Sequence, residues 1–385
     1  GMPGMETATR WRLVLLISAA GLGAAAQYGK LSVVFDRLPG VYPDAGAALG
    51  FAVSLVGAVG IVLGVVAGVF VARLGYRRAL LGGLLLGAAM SAVQAAWPPL
   101  PLFLASRVAE GAAHLAIVVA APTMIAEVTA PRDRGRALTL WGTFFGVAFA
   151  VLAVAGIPLA DRLGLGALML AHAAFLLGMA AVLWRPLPRL VDRPRAVGVV
   201  EVLRAHRRLY TSPRIGAAAL GWLFYTFCFV SALTVLPLFI DEAWRAFAIG
   251  AMPLVSILSS LTLGVWLLQR MAAWRVVVAG FAACALCAGA LLVVPGHPAA
   301  ALALGAALGL VQGASFAVVP ELNTATADRA LANGGLAQMG NLGNTAGTPV
   351  MLWVSGVAGH AGLALVLGAV FLAGLTLHLG LAARR

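Results

Sequence analysis

The chain has 385 residues, of which 62% are hydrophobic and only 10% charged, with a mean hydropathy of +1.00 and a formal charge of +13. A soluble domain carries about 25% charged residues, so lipid must be the solvent for most of this surface. The basic excess is therefore read as loop charge that sets membrane topology, and a nucleic-acid surface is excluded.

A bilayer core of about 30 Å takes about 20 helical residues. Apolar runs between polar breaks predict twelve spans, at about 12–37, 47–71, 79–97, 101–126, 137–158, 166–184, 215–240, 246–268, 275–294, 299–320, 332–355 and 362–381. Turn residues mark several breaks: Pro39-Gly40, Pro98-Pro99, and Pro295 to Pro298. With the N-terminus placed in the cytoplasm, every basic residue except Lys30, Arg37, Arg107, Arg162 and Arg245 falls on the cytoplasmic side. That asymmetry predicts a multi-pass protein of the inner (cytoplasmic) membrane with both termini inside. The 46 glycines suit close helix approach in lipid.

The first span carries Gln27, Tyr28 and Lys30, with Asp36-Arg37 at its outer end. Lys30 either snorkels outward or points its charge into a central cavity. If it shares that cavity with Arg107, the interior is positive and attracts an anionic solute. Tyr28 is a second candidate for the cavity wall.

After the second span come Gly68, Ala72, Arg73, Gly75, Arg77 and Arg78. Simple positive-inside charge is one reading. The glycine spacing also resembles the signature loop of the major facilitator superfamily, which implies a gating loop that helps hold the cytoplasmic side closed. The family's acidic residue is Ala72 here, which puts the ion-pair latch in doubt.

The fourth span carries Arg107, Glu110 and His114 at i, i+3 and i+7, on one helix face. Ionisable groups in a span are costly, about 2.5–3.5 kcal/mol for a central arginine on insertion scales, and tend to serve a pathway. Arg107 to Gly111 resembles the family's fourth-helix motif, whose arginine is associated with proton coupling. Glu110 replaces the usual amide and adds a titratable group, so Glu110 and Arg107 are the candidate proton-coupling pair. The alternative is a structural pair pinning two helices. The fifth span has Gly156 and Pro158 but not the glycine-rich pattern of drug–proton antiporters, which weighs against efflux.

The stretch 185–214 is long, polar and arginine-rich, and includes Arg193 and Arg195. It divides the chain into an N-terminal six-helix bundle (1–184), a basic cytoplasmic linker (185–214) and a C-terminal six-helix bundle (215–385). The halves echo each other: EGAAHLAIVV at 110–119 and QGASFAVV at 312–319 both fall in a fourth span. Two similar halves are a transporter plan.

The seventh span offers Trp222, Tyr225, Ser231 and Thr234 as cavity walls, and the eighth Ser256, Ser259 and Ser260. Cys284 and Cys287 form a CxxC, but inside an apolar span, where a metal or redox role is not expected. The eleventh span has a polar stripe, Gln338, Asn341, Thr345 and Thr348, with Asn344 adjacent. The stripe predicts one wet face that either lines a solute path or bonds across helices.

The expected fold is an all-α membrane protein, twelve transmembrane helices in two pseudosymmetric six-helix bundles. The expected function is proton-coupled movement of a small polar or anionic organic solute by alternating access. The expected substrate-binding residues are Tyr28, Lys30, Arg107, His114, Tyr225, Gln338, Asn341, Asn344 and Thr345. The expected partners are that solute, protons and lipid, with no nucleic acid, for a monomer. No phosphate-binding GK[ST] loop or HExxH occurs, so neither an enzyme, a cofactor nor a metal is expected. The alternatives are proton-driven efflux of an amphipathic compound, and a non-transporting membrane sensor or membrane-embedded enzyme.

Overall fold

The computed structural model describes residues 8–189 and 197–385, with Ala47 described in its backbone only. The predicted linker arginines Arg193 and Arg195 lie outside the described residues. In lipid, every backbone N–H and C=O must find a partner within the chain, and a helix does this with local bonds alone. The described residues form helices and connecting turns, with no strand among them.

The first six spans are α1 (Trp11–Ser32), α2 (Phe51–Leu74), α3 (Tyr76–Ala95), α4 (Leu100–Glu127), α5 (Pro131–Leu163) and α6 (Leu165–Leu183). A short helix follows, α7 (Val199–Thr211). The remaining spans are α8 (Ala217–Phe239), α9 (Glu242–Leu268), α10 (Ala273–Val293), α11 (Pro298–Leu322) and α12 (Thr326–Ala383).

Eleven of these helices are long and apolar enough to cross a membrane. The sequence predicts twelve crossings, and the difference lies in α12. This helix runs for 58 residues but breaks at Gly359, whose φ of 66° and ψ of −158° lie in a region open essentially to glycine. Its two arms, 326–358 and 360–383, are the predicted eleventh and twelfth spans. A second glycine, Gly75 (φ 96°, ψ 153°), turns the chain between α2 and α3 with no intervening loop.

The chain divides into two compact units. One comprises residues 1–130 and 144–205, the other 131–143 and 206–385. The break falls inside α5, which changes course at Thr143 and carries a π-helical turn over Leu152–Gly156. In the first unit α4 packs on α1, α2 and α3, and α3 on α6; in the second α8 packs along α12, and α10 on α11 and α12.

The stretch 185–214, expected to be a polar linker, contains a helix. In α7 the arginines Arg204, Arg207 and Arg208 alternate with apolar residues, of which Leu209 is buried while Val199, Val200 and Leu203 are exposed. Counting its charges alone hides this amphipathic period.

Candidate functional site

The first unit places a set of charges inside its own packing. Arg107 and Glu110 lie one helical turn apart on α4, so their side chains share a face. Lys30 comes to the same place from α1, eighty residues away in sequence. All three side chains are fully buried.

The hydrogen-bond partners suit one protonation pattern. Glu110 acts only as an acceptor. Its Oε2 takes a bond from Lys30 Nζ at 2.5 Å, and its Oε1 takes one from Gln94 Nε2 at 3.0 Å and a close one from Arg107. That is the behaviour of an ionised carboxylate. Lys30 has three N–H donors and three acceptors: Glu110 Oε2, Ser91 Oγ at 3.0 Å and His172 Nδ1 at 3.1 Å. His172 Nε2 lies 2.9 Å from the Gly23 carbonyl, which can only accept, and Nδ1 faces the Lys30 ammonium, so the neutral Nε2–H tautomer fits both contacts. Ser91 in turn donates to the Met169 carbonyl at 2.7 Å. Arg107 donates from Nε to Ala52 O at 2.5 Å and from an Nη to Gln27 O at 2.7 Å.

Two cations therefore face one carboxylate, and the cluster holds an excess of one positive charge. Its hydrogen-bonding capacity is also not used up. The second Nη of Arg107, Gln94 Oε1 and both amide atoms of Gln27 are buried with no hydrogen-bond partner among the described residues. Buried unpaired polar atoms are costly and rare, so four in one cluster make it the candidate site.

Of the residues predicted from the sequence, Lys30, Arg107 and Glu110 come together. Lys30 does not snorkel, because its ammonium is turned inward onto α3, α4 and α6. His114 lies one turn further along α4, donating from Nδ1 to the Ala24 carbonyl at 2.8 Å. Half-buried Tyr28 meets the His114 ring edge-on at 5.0 Å, with Phe145 beside both.

Ser91, Gln94 and His172 were not singled out by the sequence. Ser91 and Gln94 stand three apart on one face of an apolar span, a signal that was present in the pattern. His172 is a lone histidine among alanines and leucines, and only its contact with Lys30 gives it meaning.

In the loop expected to gate, Gly68 and Gly75 are buried and Arg78 is exposed. Arg77 donates to Leu187 O at 3.0 Å and stacks over Trp184. Arg73 makes a close ion pair with Glu201 of α7. The acid missing at Ala72 thus has a counterpart elsewhere in the same unit.

The second unit holds the polar stripe of α12, and its expected single wet face is not observed. Gln338 and Asn341 are buried, whereas Asn344 and Thr345 are exposed and Thr348 is half-buried. The Gln338 carbonyl oxygen accepts a close bond from Tyr210 of α7, and burial raises the Tyr210 hydroxyl pKa, so it remains a donor. Asn341 donates to Ala337 O at 2.7 Å on its own helix. The inner half of the stripe is thus engaged within the protein, and the outer half is open. Tyr225 is buried and stacked between Trp222 and Phe229.

The comparisons with known proteins agree on one architecture. A sequence model of the Major Facilitator Superfamily matches residues 38–322. Among solved structures, a variant of the E. coli fucose:proton symporter FucP aligns at 18% identity with a TM-score of 0.75, covering 97% of this chain and 98% of that one. The human organic anion transporter MFSD10 also aligns at 18% identity and 0.75, covering 96% and 99%. The proton:xylose symporter XylE aligns at 15% identity and 0.74, covering 95% and 94%. At these identities the likeness is one of fold. No curated protein matches the sequence.

Proposed function

This chain belongs to the major facilitator superfamily, a family of transporters and not enzymes, and from that premise we propose that it is a proton-coupled importer of a small anionic or polar organic solute. The observation that carries the reading is the buried cluster of Lys30, Arg107 and Glu110 with its surplus positive charge. Charge held inside a span is expensive unless it serves a pathway.

Glu110 is the proton-coupling group in this proposal. A proton on Glu110 removes the one negative charge, leaving Lys30 and Arg107 to repel each other and loosening the tie between α1 and α4. Breaking a buried pair in this way is worth about 3–5 kcal/mol. About 5.5 kcal/mol of differential stabilisation carries a two-state equilibrium from 1:99 to 99:1, so this single event supplies most of what an alternating-access change needs. An anionic solute would offset the same surplus charge from outside the protein. Proton and solute would then act on one electrostatic balance, which is what coupling requires.

Tyr28 and His114, beside the charge cluster in the first unit, are proposed as solute contacts. The protein is proposed to sit in the inner membrane as a monomer with cytoplasmic termini. The structural neighbours are a fucose:proton symporter, a proton:xylose symporter and an organic anion transporter, which favours a small polar or anionic solute.

The test is uptake of labelled fucose, xylose and succinate into proteoliposomes under an imposed pH gradient, acid outside. Wild type should concentrate at least one of them, and a protonophore should abolish the accumulation. Glu110→Gln should still exchange solute across the membrane but should not concentrate it. If Glu110→Gln accumulates solute with an unchanged pH dependence, the coupling role is wrong.

A further inference from the structure

The first unit has a groove of about 490 Å³ on its outer face, away from the charge cluster. Leu85 of α3 and Leu177, Ala181 and Val182 of α6 form its wall, and Trp184 and Arg185 close one end. The wall residues are well exposed: Leu85 at 43%, Leu177 at 51% and Val182 at 50%. In a membrane protein such a face is in contact with acyl chains.

Three features make this groove more than a stretch of lipid-facing surface. First, the helices are antiparallel and carry their charges at the same end. Leu85 lies eight positions after Arg77 on α3, and Arg185, just past the end of α6, lies eight positions after Leu177. At 1.5 Å per residue the apolar wall reaches about 12 Å from the basic end, a depth suited to a length of acyl chain.

Second, Trp184 stands at the junction, 54% exposed, with the Arg77 guanidinium 5.5 Å from its ring centroid. Tryptophan is the residue of the membrane–water interface, and the stacked arginine is thereby held beside the mouth of the groove. Third, Arg185 makes no hydrogen bond or ion pair among the described residues and lines the groove itself. Its planar donors match phosphate oxygens in a bidentate geometry. A basic pocket between spans at the interface recognises an anionic headgroup.

We propose that the groove between α3 and α6 is a binding site for one anionic phospholipid, with an acyl chain along Leu85 and Leu177 and the phosphate on Arg185 and Arg77. The occupant is a lipid of the surrounding bilayer and not the transported solute. Charge complementarity sets its class: Arg185 lines the groove, Arg77 stacks on the Trp184 that closes its end, and no carboxylate among the described residues lines it.

The experiment is native mass spectrometry of the full chain released from micelles containing equal amounts of dioleoyl phosphatidylglycerol and dioleoyl phosphatidylcholine. The two lipids share acyl chains and differ in net charge. Wild type should retain one phosphatidylglycerol under conditions that strip phosphatidylcholine. Ala181→Trp, which fills the groove at an exposed position, and Arg185→Gln, which removes the headgroup contact, should each lower the phosphatidylglycerol-bound fraction at least fivefold. Val62→Trp, on the exposed face of α2, should leave it unchanged. Equal retention of the two lipids, or wild-type phosphatidylglycerol retention by Ala181→Trp or Arg185→Gln, overturns the proposal. So does an equal loss in Val62→Trp.

Discussion

The helices α4 and α11 are the most deeply buried spans of their respective units, and they solve the same packing problem with different chemistry. At the start of the echoed sequence α4 has Glu110 and α11 has Gln312. Glu110 sits among Lys30, Arg107 and Gln94. Gln312 sits among neutral groups: its amide nitrogen donates a close bond to the Gly142 carbonyl, and its oxygen lies 3.4 Å from the Ser260 hydroxyl. An amide is therefore enough to hold a fourth span in place. The charges on α4 are not something the packing demands, and their presence there points to a purpose other than stability.

That contrast can be broken by experiment. The largest effect is expected from Glu110→Ala, which leaves two buried cations without their carboxylate. It should destabilise the protein by about 3–5 kcal/mol, read as a lower midpoint of unfolding when detergent micelles are titrated with dodecyl sulfate. Gln312→Leu should cost roughly 0.5–2 kcal/mol in the same assay, since it removes the bond to the Gly142 carbonyl. Equal costs for the two would mean that α11 depends on its amide as α4 depends on its charge, and the contrast would fail. The smallest effect belongs to Glu201→Gln. Its ion pair with Arg73 is about one-third exposed, 34% and 31% for the two side chains, so it should contribute less than about 1 kcal/mol and fade with added salt.

The spans were legible in the sequence because lipid imposes a length and a polarity on each of them. The turns at Pro98-Pro99 and at Pro295 to Pro298 were legible for a local reason, the restricted backbone of proline. Arg107 and Glu110 could be paired from their spacing alone. Lys30 could not be assigned, because nothing along α1 says which way its side chain turns, and its partners come from three other helices. The sequence-family match begins at residue 38, so Lys30 also lies outside it. The amphipathic α7 was hidden by its own arginines, which read as loop charge. On α12 the periodicity put Gln338 and Thr345 on one face, but the period carries no record of Tyr210 covering one of them.

The break at Gly359 has a consequence for anyone who wishes to watch this protein at work. Where α3 and α4 are separated by a short proline-marked connection, the two arms of α12 meet at a single residue. There is no slack there to take an epitope, a protease site or a bulky reporter. A label intended to follow the last two arms has to be carried on their outward-facing side chains, such as Trp353 or Leu365. The corner between them acts as a fixed elbow whose angle one alanine substitution would alter.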